Sequence, residues 1–510
     1  MWGIKETSMK DWIKLQRQLY SQALREVKRI LKPSRQLELY GKAYERDFRN
    51  LAKSSKTALI QDINRYDFTL VGDFHTLRQS QRLFYRLIRD PQVKRPRAIA
   101  LEVLQIKDEK QVQRWIESKN FDKIKELLNL ESLWGSSWET YEELFRFCAA
   151  RKIKVMGLSC GARTLTERDL EAVRRLEGWS SGVWILFGEH HLSSAHIPRL
   201  LHNAKPQAKI CVIQQNHDQT GLKLLEKQGS AKTLILKKAI SDQFHFYCVL
   251  HCPLWMKWQS FLEWQMQLSN EDFSPEGFDV HEQLTWSLST LYDFLSDTRT
   301  PLPVPLEEAL DFQIFGPEDP HFYRALSKLN PAVRRNVLDQ LSTGNVGVAL
   351  RPHRIFLSEL TFNSCAHAAG SLLYRLNSQI ENHDKTFFQK VLTEGMSYFL
   401  SKLLNHSRRS PSFDSPHQRQ LAMSFGLHYL KQSAWLKSLK VGQKTLAMQL
   451  GRNLTESLFE AFLAGEFSKS RLIRLVGDPV LRDQEAFEKL VEMKSVGDSF
   501  SKTVLTRAHL

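Results

Sequence analysis

The sequence predicts an α/β protein with a mostly parallel mixed sheet flanked by helices, followed by an all-α C-terminal domain. Three observations carry that expectation. Between residues 68 and 250, short apolar β-branched runs alternate with longer stretches of helical spacing, the pattern of parallel strands joined by crossover helices. Near Trp255 the alternation stops. Beyond about Pro301 apolar positions recur at helical spacing alone.

Residues 1–58 read as a helical lead-in, because Trp12, Leu15, Leu19, Val27 and Ile30 recur at helical spacing among many charges. Residues 59–260 hold the alternation. Strands are expected at 68–71, 98–103, 154–158, 183–187, 210–214, 233–236 and 244–250, and helices at 78–89, 107–130, 141–150, 167–175 and 195–202. Residues 261–305 carry the polar and proline-bearing stretches "SNEDFSPEGFDV" and "SDTRTPLPVPLEEAL", which read as a linker. Residues 306–510 read as helices from "HFYRALSKL" to "QRQLAMSFGLHYLKQ" and "DQEAFEKLVEM", with a polar loop at "NHSRRSPSFDSPHQ".

A chain of 510 residues with 42% hydrophobic content exceeds one core, so two or three domains are expected. With 23 Gly and 17 Pro it is neither fibrous nor disordered. A net charge of +16 permits contact with nucleic acid, an anionic membrane or an acidic partner, but no Lys/Arg block or Gly-Arg tract supports nucleic acid further. Six cysteines without a CxxC pair fit free thiols in a reducing compartment. The N-terminal stretch lacks an apolar signal core, and no run of about 18 apolar residues could span a bilayer, so the expected location is the cytoplasm.

Two stretches carry the candidate chemistry. "LVGDFHTLRQSQRLF" ends a strand on Gly72 and exposes Asp73 and His75 in the turn before a helix, and "VWILFGEHHLSSAHIPRLL" repeats the layout with Gly188, Glu189, His190 and His191. With 23 Gly and 17 His in 510 residues, Gly-x-x-His arises about 0.8 times by chance, so the bare pattern means little. Its position means more, because ligands bind at the carboxyl edge of open parallel sheets. "RAIALEVLQ" adds Glu102 at the same edge, a carboxylate that is costly to bury.

Imidazole and carboxylate together are ligands for zinc, manganese or iron, and a carboxylate-oriented histidine is also a general base for water. Glycine in each turn lets the chain bend and a ligand approach. The bland alternative is that His75 and His191 cap helix starts while Glu102 pairs with Arg163 or Arg168. Other clusters carry less: alternation in "FHFYCVLHC" sends His245 and Tyr247 to one face and Cys248 to the other, as in a core or edge strand. "CAHAAGSLLY" places Cys365 and His367 on a helix whose small residues suit close packing. No first-turn G-x-G-x-x-G is present, which disfavours a dinucleotide fold.

The ordered set "LVGDFHT", "ALEVLQ", "WGSSWETYEELFRFCAARKIKVMGLS", "ERDL" and "ILFGEHHLSSAHIPRLL" resembles the ChaN-like family of haem-binding uptake proteins. That family shares a superfamily with Tiki proteases, TraB-type proteins and erythromycin esterases. The resemblance spans roughly residues 40–255 and sets Gly72 and His75 on the first Gly-x-x-His motif, Glu102 on the acidic position, Arg168 and Asp169 on an Arg-Asp pair, and Gly188 and His191 on the second motif. It implies a divalent metal or haem iron as cofactor and a small-molecule or iron-containing ligand. His75, Glu102 and His191 would then be the metal ligands, with Asp73, Glu189 and His190 as further binding residues. It equally implies a hydrolase in which His75 and His191 position water or metal, Glu102 is base or ligand, and Arg168 steadies developing charge. Tyr85 and Tyr141 are the tyrosines nearest the motifs for a haem ligand, and the lipobox cysteine of lipoprotein members is missing. A non-catalytic scaffold whose C-terminal helices bind a protein partner is the reading from another class.

Overall fold

The computed structural model describes residues 7–161, 164–228, 233–269, 280–296, 302–317, 319–344, 346–378, 387–408 and 443–477. These fall into two compact units, Arg17–Gly277 and Met1–Gln16 with Phe278–Leu510.

The first unit is built on an eight-stranded sheet: β1 (Ala52–Ser54), β2 (Phe68–Asp73), β3 (Ala98–Gln105), β4 (Lys154–Ser159), β5 (Val183–Gly188), β6 (Ile210–Gln215), β7 (Leu234–Ser241) and β8 (Phe244–Leu250). Their order is β1-β7-β8-β6-β2-β5-β3-β4. All pairings are parallel except those of β7 with β8 and β1. β2, β5 and β6 are buried at every residue, which is why they read as mostly apolar runs rather than alternating ones, with Thr69, Asp73, Gln214 and Gln215 as buried polar exceptions. Successive residues still divide between two cores. Phe68, Leu70, Ile185 and Phe187 pack with Tyr44, Ala172 and Leu201 on one face. Val71, Trp184 and Leu186 pack with Phe84, Val112 and Phe145 on the other.

Three local features position the site. Register pairs Gly72 with Phe187 and Asp73 with Gly188, so the two glycine turns leave the sheet side by side. β3 flanks β5 with Leu101 opposite Leu186, which brings Glu102 to the same level. The Leu165–Glu177 helix starts at Thr164 with a full capping box, Thr164 and Glu167 each satisfying the other's backbone N–H, and this fixes the first turn that carries Arg168 and Asp169.

One expected helix differs. The 107–130 stretch breaks into Glu109–Glu117, Phe121–Leu128 and Leu130–Trp134, because Lys119 and Asn129 take φ of 58° and 37° and end each piece in the left-handed region. The 261–305 stretch includes the end of helix Leu254–Ser269 and all of helix Val280–Leu295.

The second unit is mainly helical, with Phe362–Asn377, Phe387–Leu404 and Gln443–Leu463 at its centre. From the N-terminal helix Thr7–Ile30, Trp12 Nε1 and Gln16 Nε2 donate to Leu403 O at 3.3 and 2.8 Å. Small residues let backbones touch: a Cβ on Gly451 would lie 2.4 Å from Val391 O and 2.8 Å from Gly395 N. The region also holds a three-stranded sheet of β9 (Gln313–Phe315), β10 (Val346–Ala349) and β11 (Arg354–Leu357), an addition to the helical expectation. Strands of three and four residues are too short to show a period of two against a helical background. "QRQLAMSFGLHYLKQ", "DQEAFEKLVEM" and most of "SNEDFSPEGFDV" and "NHSRRSPSFDSPHQ" lie outside the described residues. Among the described residues no helix is long and apolar enough to cross a membrane. All six cysteines are free, and Cys160 alone among them is exposed.

Candidate functional site

Gly188 marks the centre of the sheet rim. A Cβ placed on it would stand 3.2 Å from Glu102 Oε2, 3.4 Å from His191 Cδ2 and 3.5 Å from His75 Nε2. The two imidazoles are therefore within about 7 Å of each other across one space, the sum of two of those distances. That space exists because position 188 has no side chain. The three residues picked from the sequence thus converge, His75 and His191 from the turns beyond β2 and β5, and Glu102 from within β3, which runs on to Gln105, just past its pairing with β5.

Each of them is held by a second residue. Asp73, buried at the end of β2, accepts from His75 Nδ1 at 2.9 Å and from Gln81 Nε2 at 2.6 Å. The other ring nitrogen of His75 faces Glu102 Oε2 at 3.6 Å. Glu102 accepts the Gly188 N–H at 2.6 Å and pairs with Arg168, while Arg163 lies outside the described residues. Asp169 binds His191 Nδ1, accepts the Tyr40 hydroxyl at 2.8 Å and lies 3.7 Å from His196 Nδ1. Neither His75 nor His191 caps a helix: the Arg78–Arg89 and Ile197–Ala204 helices start at Leu77 and His196 without a side-chain cap.

Burial lowers the affinity of His75 for a proton, but the Asp73 hydrogen bond and the Glu102 charge outweigh it, so its pKa lies above the ordinary histidine value. His190 and His196 go the other way, with burial as the main cause, and stay neutral more readily. About a quarter of the His75 and Arg168 side chains is exposed, at 27% and 26%, so both can be reached from solvent.

Residues 59–181 match the family model described as haem-binding uptake, Tiki superfamily, ChaN. Over this stretch the chain is similar to the ChaN family. A solved structure, "Cofacial heme binding to ChaN of Campylobacter jejuni", is similar over 34% of this chain and 90% of that one, at 18% identity and a TM-score of 0.28. No curated protein matches the chain. The ChaN-like match includes His75, Glu102, Arg168 and Asp169 and stops short of Gly188 and His191, which the fold supplies through β5.

Not every residue expected at the rim joins this cluster. Glu189 is buried in a separate group, where Lys257 Nζ lies 2.6 Å from one carboxylate oxygen and the Tyr44 hydroxyl donates to the other at 3.0 Å. His190 packs its ring 5.0 Å from that of Tyr44. Tyr141 is sealed in the core, and Tyr85 packs edge-on to Phe147 with the Arg89 guanidinium over its ring. The tyrosines at the rim are Tyr40 and Tyr44, which sequence reasoning missed because they lie on the Arg35–Asp47 helix, read as a lead-in. Tyr40 also stacks on His196 with ring centroids 3.7 Å apart. Trp134 packs edge-on to His75 at 4.8 Å, and Ser136 Oγ donates to His75 O at 2.8 Å.

Proposed function

We propose that the strand-end pocket binds a metal-bearing ligand, the iron of a haem-type molecule or a divalent cation, through Nε2 of His75 and of His191. One observation carries this reading. Both imidazoles are fixed at Nδ1 by an aspartate and border the same space above Gly188, the orientation that metal-ligating histidines take when a carboxylate holds the other nitrogen. The residues fit such a group: a Cβ at 188 would fill the cradle. Among the described residues no three His, Cys, Asp or Glu side chains form a ready-made metal cage. Two imidazoles without a cage suit a metal that brings ligands of its own, as haem iron does, and favour it over a bare ion. The family's description as haem-binding uptake agrees with that preference.

When bound, such a metal supplies a redox or Lewis-acid centre. The chain's own residues do the rest. Asp73 and Asp169 orient the rings, Arg168 holds Glu102 in place and offers a cation to an anionic group of the ligand, and Trp134 shields one side of His75. A second reading, water activation for hydrolysis, is favoured by the Asp73–His75 pair facing Glu102 with Arg168 behind it, a base with its orienting acid and a charge stabiliser.

Haem and Zn²⁺ titrations of the full chain, followed by absorbance and metal analysis, test both. Wild type should take up about one equivalent, and His75→Ala/His191→Ala should lose it while keeping its circular dichroism. Cleavage of a generic aryl ester that needs His75, survives chelation and occurs without uptake would favour the hydrolase. A chain with neither binding nor cleavage is the scaffold.

A further inference from the structure

The helical unit contains a polar seam between its helices. Glu394, Tyr398, Ser401 and Lys402 fall at i, i+4, i+7 and i+8 along the Phe387–Leu404 helix, so they line one stripe. Arg452 and Glu456, four apart on the Gln443–Leu463 helix, meet that stripe, as does His367 from the Phe362–Asn377 helix. Arg408 closes it from the turn beyond Leu404.

Two of the cations are paired. Arg452 Nε binds Glu394 Oε1 at 2.6 Å, and Lys402 Nζ binds Glu456 Oε2 at 2.6 Å. Glu394 also takes His367 Nε2 at 3.3 Å, which assigns the proton to Nε2 and leaves Nδ1 as an acceptor. The Arg408 guanidinium is different. Its Nη1 donates to His367 Nδ1 at 3.3 Å and to Ser401 Oγ at 2.6 Å, both neutral, and among the described residues no carboxylate contacts it. Glu394 and Glu456 are near enough to favour its charge, but each is already bonded to another cation. Burial and then Arg452 push the Arg408 pKa down to about 10, the mark of a guanidinium short of counter-charge. Its position is focused as well: Arg408 Cζ, Lys402 Nζ and Arg452 Cζ stand 5.2, 5.7 and 5.8 Å from the centroid of the Tyr398 ring.

Arg408 is half-buried, and its remaining guanidinium nitrogens are not among the buried polar atoms left without a partner, so they can be reached from outside the seam. A guanidinium held at one nitrogen by neutral acceptors, with the rest of its planar fork free of any acceptor among the described residues, is laid out to take two oxygens of one anion. We propose that this seam is an oxyanion site in which the Arg408 fork takes the carboxylate or phosphate group of a small ligand, with Lys402 and Arg452 adding charge around the Tyr398 ring.

Calorimetric titration of the full chain with inorganic phosphate and, separately, with acetate tests it, at constant ionic strength set by sodium chloride. Saturable heat is expected for at least one, and which one identifies the group. Arg408→Gln should weaken that binding at least tenfold, and Arg408→Lys, which keeps the charge but loses the fork, by roughly three- to tenfold. Should Arg408→Gln fail to fold, the lysine variant and Ser401→Ala, which frees the guanidinium from its hydroxyl, give the answer by shifting affinity. No saturable heat with either anion, or variants that bind like wild type, overturns the proposal.

Discussion

His75 in the sheet unit and His367 in the helical unit each sit beside a carboxylate and an arginine, yet the two imidazoles have opposite characters. At the rim, Asp73 takes Nδ1 and leaves Nε2 facing Glu102 across open space, and the pKa rises. In the helices Glu394 takes Nε2, Arg408 donates to Nδ1, and burial pushes the pKa down to about 4. A histidine with one nitrogen anchored and the other presented can bind or titrate. One with both nitrogens satisfied inside a packed helical unit is a neutral connector.

The largest expected effect breaks the helical half of that contrast. Glu394→Ala strips Arg452 of its carboxylate and His367 of its acceptor in one step. Leaving a buried cation unpaired should cost about 3–5 kcal/mol, read as a lower urea midpoint for the full chain. A loss under about 1 kcal/mol would mean that water already serves the seam.

Acidity separates the two histidines next. His367 has a folded pKa of about 4, below the ordinary 6.5, so its contribution is complete above pH 6.5 and is lost as pH falls from 6.5 towards 4, while the unfolded chain takes up the proton. The full span is worth about 3 kcal/mol. His406, pushed down by burial to about 3, acts in the same direction. His75 has the reverse sign: its folded pKa lies above 6.5, so its contribution is complete below 6.5 and disappears as pH rises through the folded value. Urea midpoints measured from pH 4 to 8 should show His367→Gln flattening the acid limb and His75→Gln flattening the neutral one. If both variants act on the same limb, the contrast is wrong.

How much of this was legible in the sequence depends on distance along the chain. The strands were readable because both faces of a parallel sheet are covered, so 68–73 and 183–188 are mostly apolar rather than alternating. His75 and His191 were readable because a strand end is a local feature, and Glu102 because a carboxylate stands out in an apolar strand, here five residues into β3 rather than at its end. Asp169 was visible only through the Arg-Asp motif, and its partners Tyr40 and His191 lie 129 and 22 residues away, so its role depends on helix packing that no local pattern shows. The pairing of Glu102 with Arg168, set against a site as if the two excluded each other, occurs together with the convergence on Gly188. His367, read as a matter of close helix packing, does lie on a closely packed helix, but its partners Glu394 and Arg408 come from beyond that helix.

Glycines offer a smaller and cleaner comparison. Gly451→Ala would press a methyl against the backbone of Val391 and Gly395, which cannot give way, and should cost about 1–3 kcal/mol. Gly188→Ala meets only side chains, at 3.2–3.5 Å, in a residue of negative φ, so thermal unfolding should move by about 1 kcal/mol or less. Haem or metal uptake should nevertheless fall sharply, because the methyl takes the space that the three side chains border. Uptake unchanged in Gly188→Ala would move the ligand away from that space.

The smallest expected effect tests whether Tyr40 belongs to the site or only to the packing. Tyr40→Phe deletes the hydroxyl that donates to Asp169 and keeps the ring stacked on His196. One hydrogen bond to a carboxylate contributes about 1.5–3 kcal/mol, and Asp169 keeps its bond to His191, so the stability loss should lie at the low end. The more telling readout is ligand affinity. With one donor gone, Asp169 accepts more strongly from His191, which makes Nε2 of that ring a better donor to a metal. Tyr40→Phe should therefore bind haem or Zn²⁺ as tightly as wild type or slightly tighter while unfolding slightly earlier. A variant that loses binding outright would make the Tyr40 hydroxyl a ligand contact in its own right.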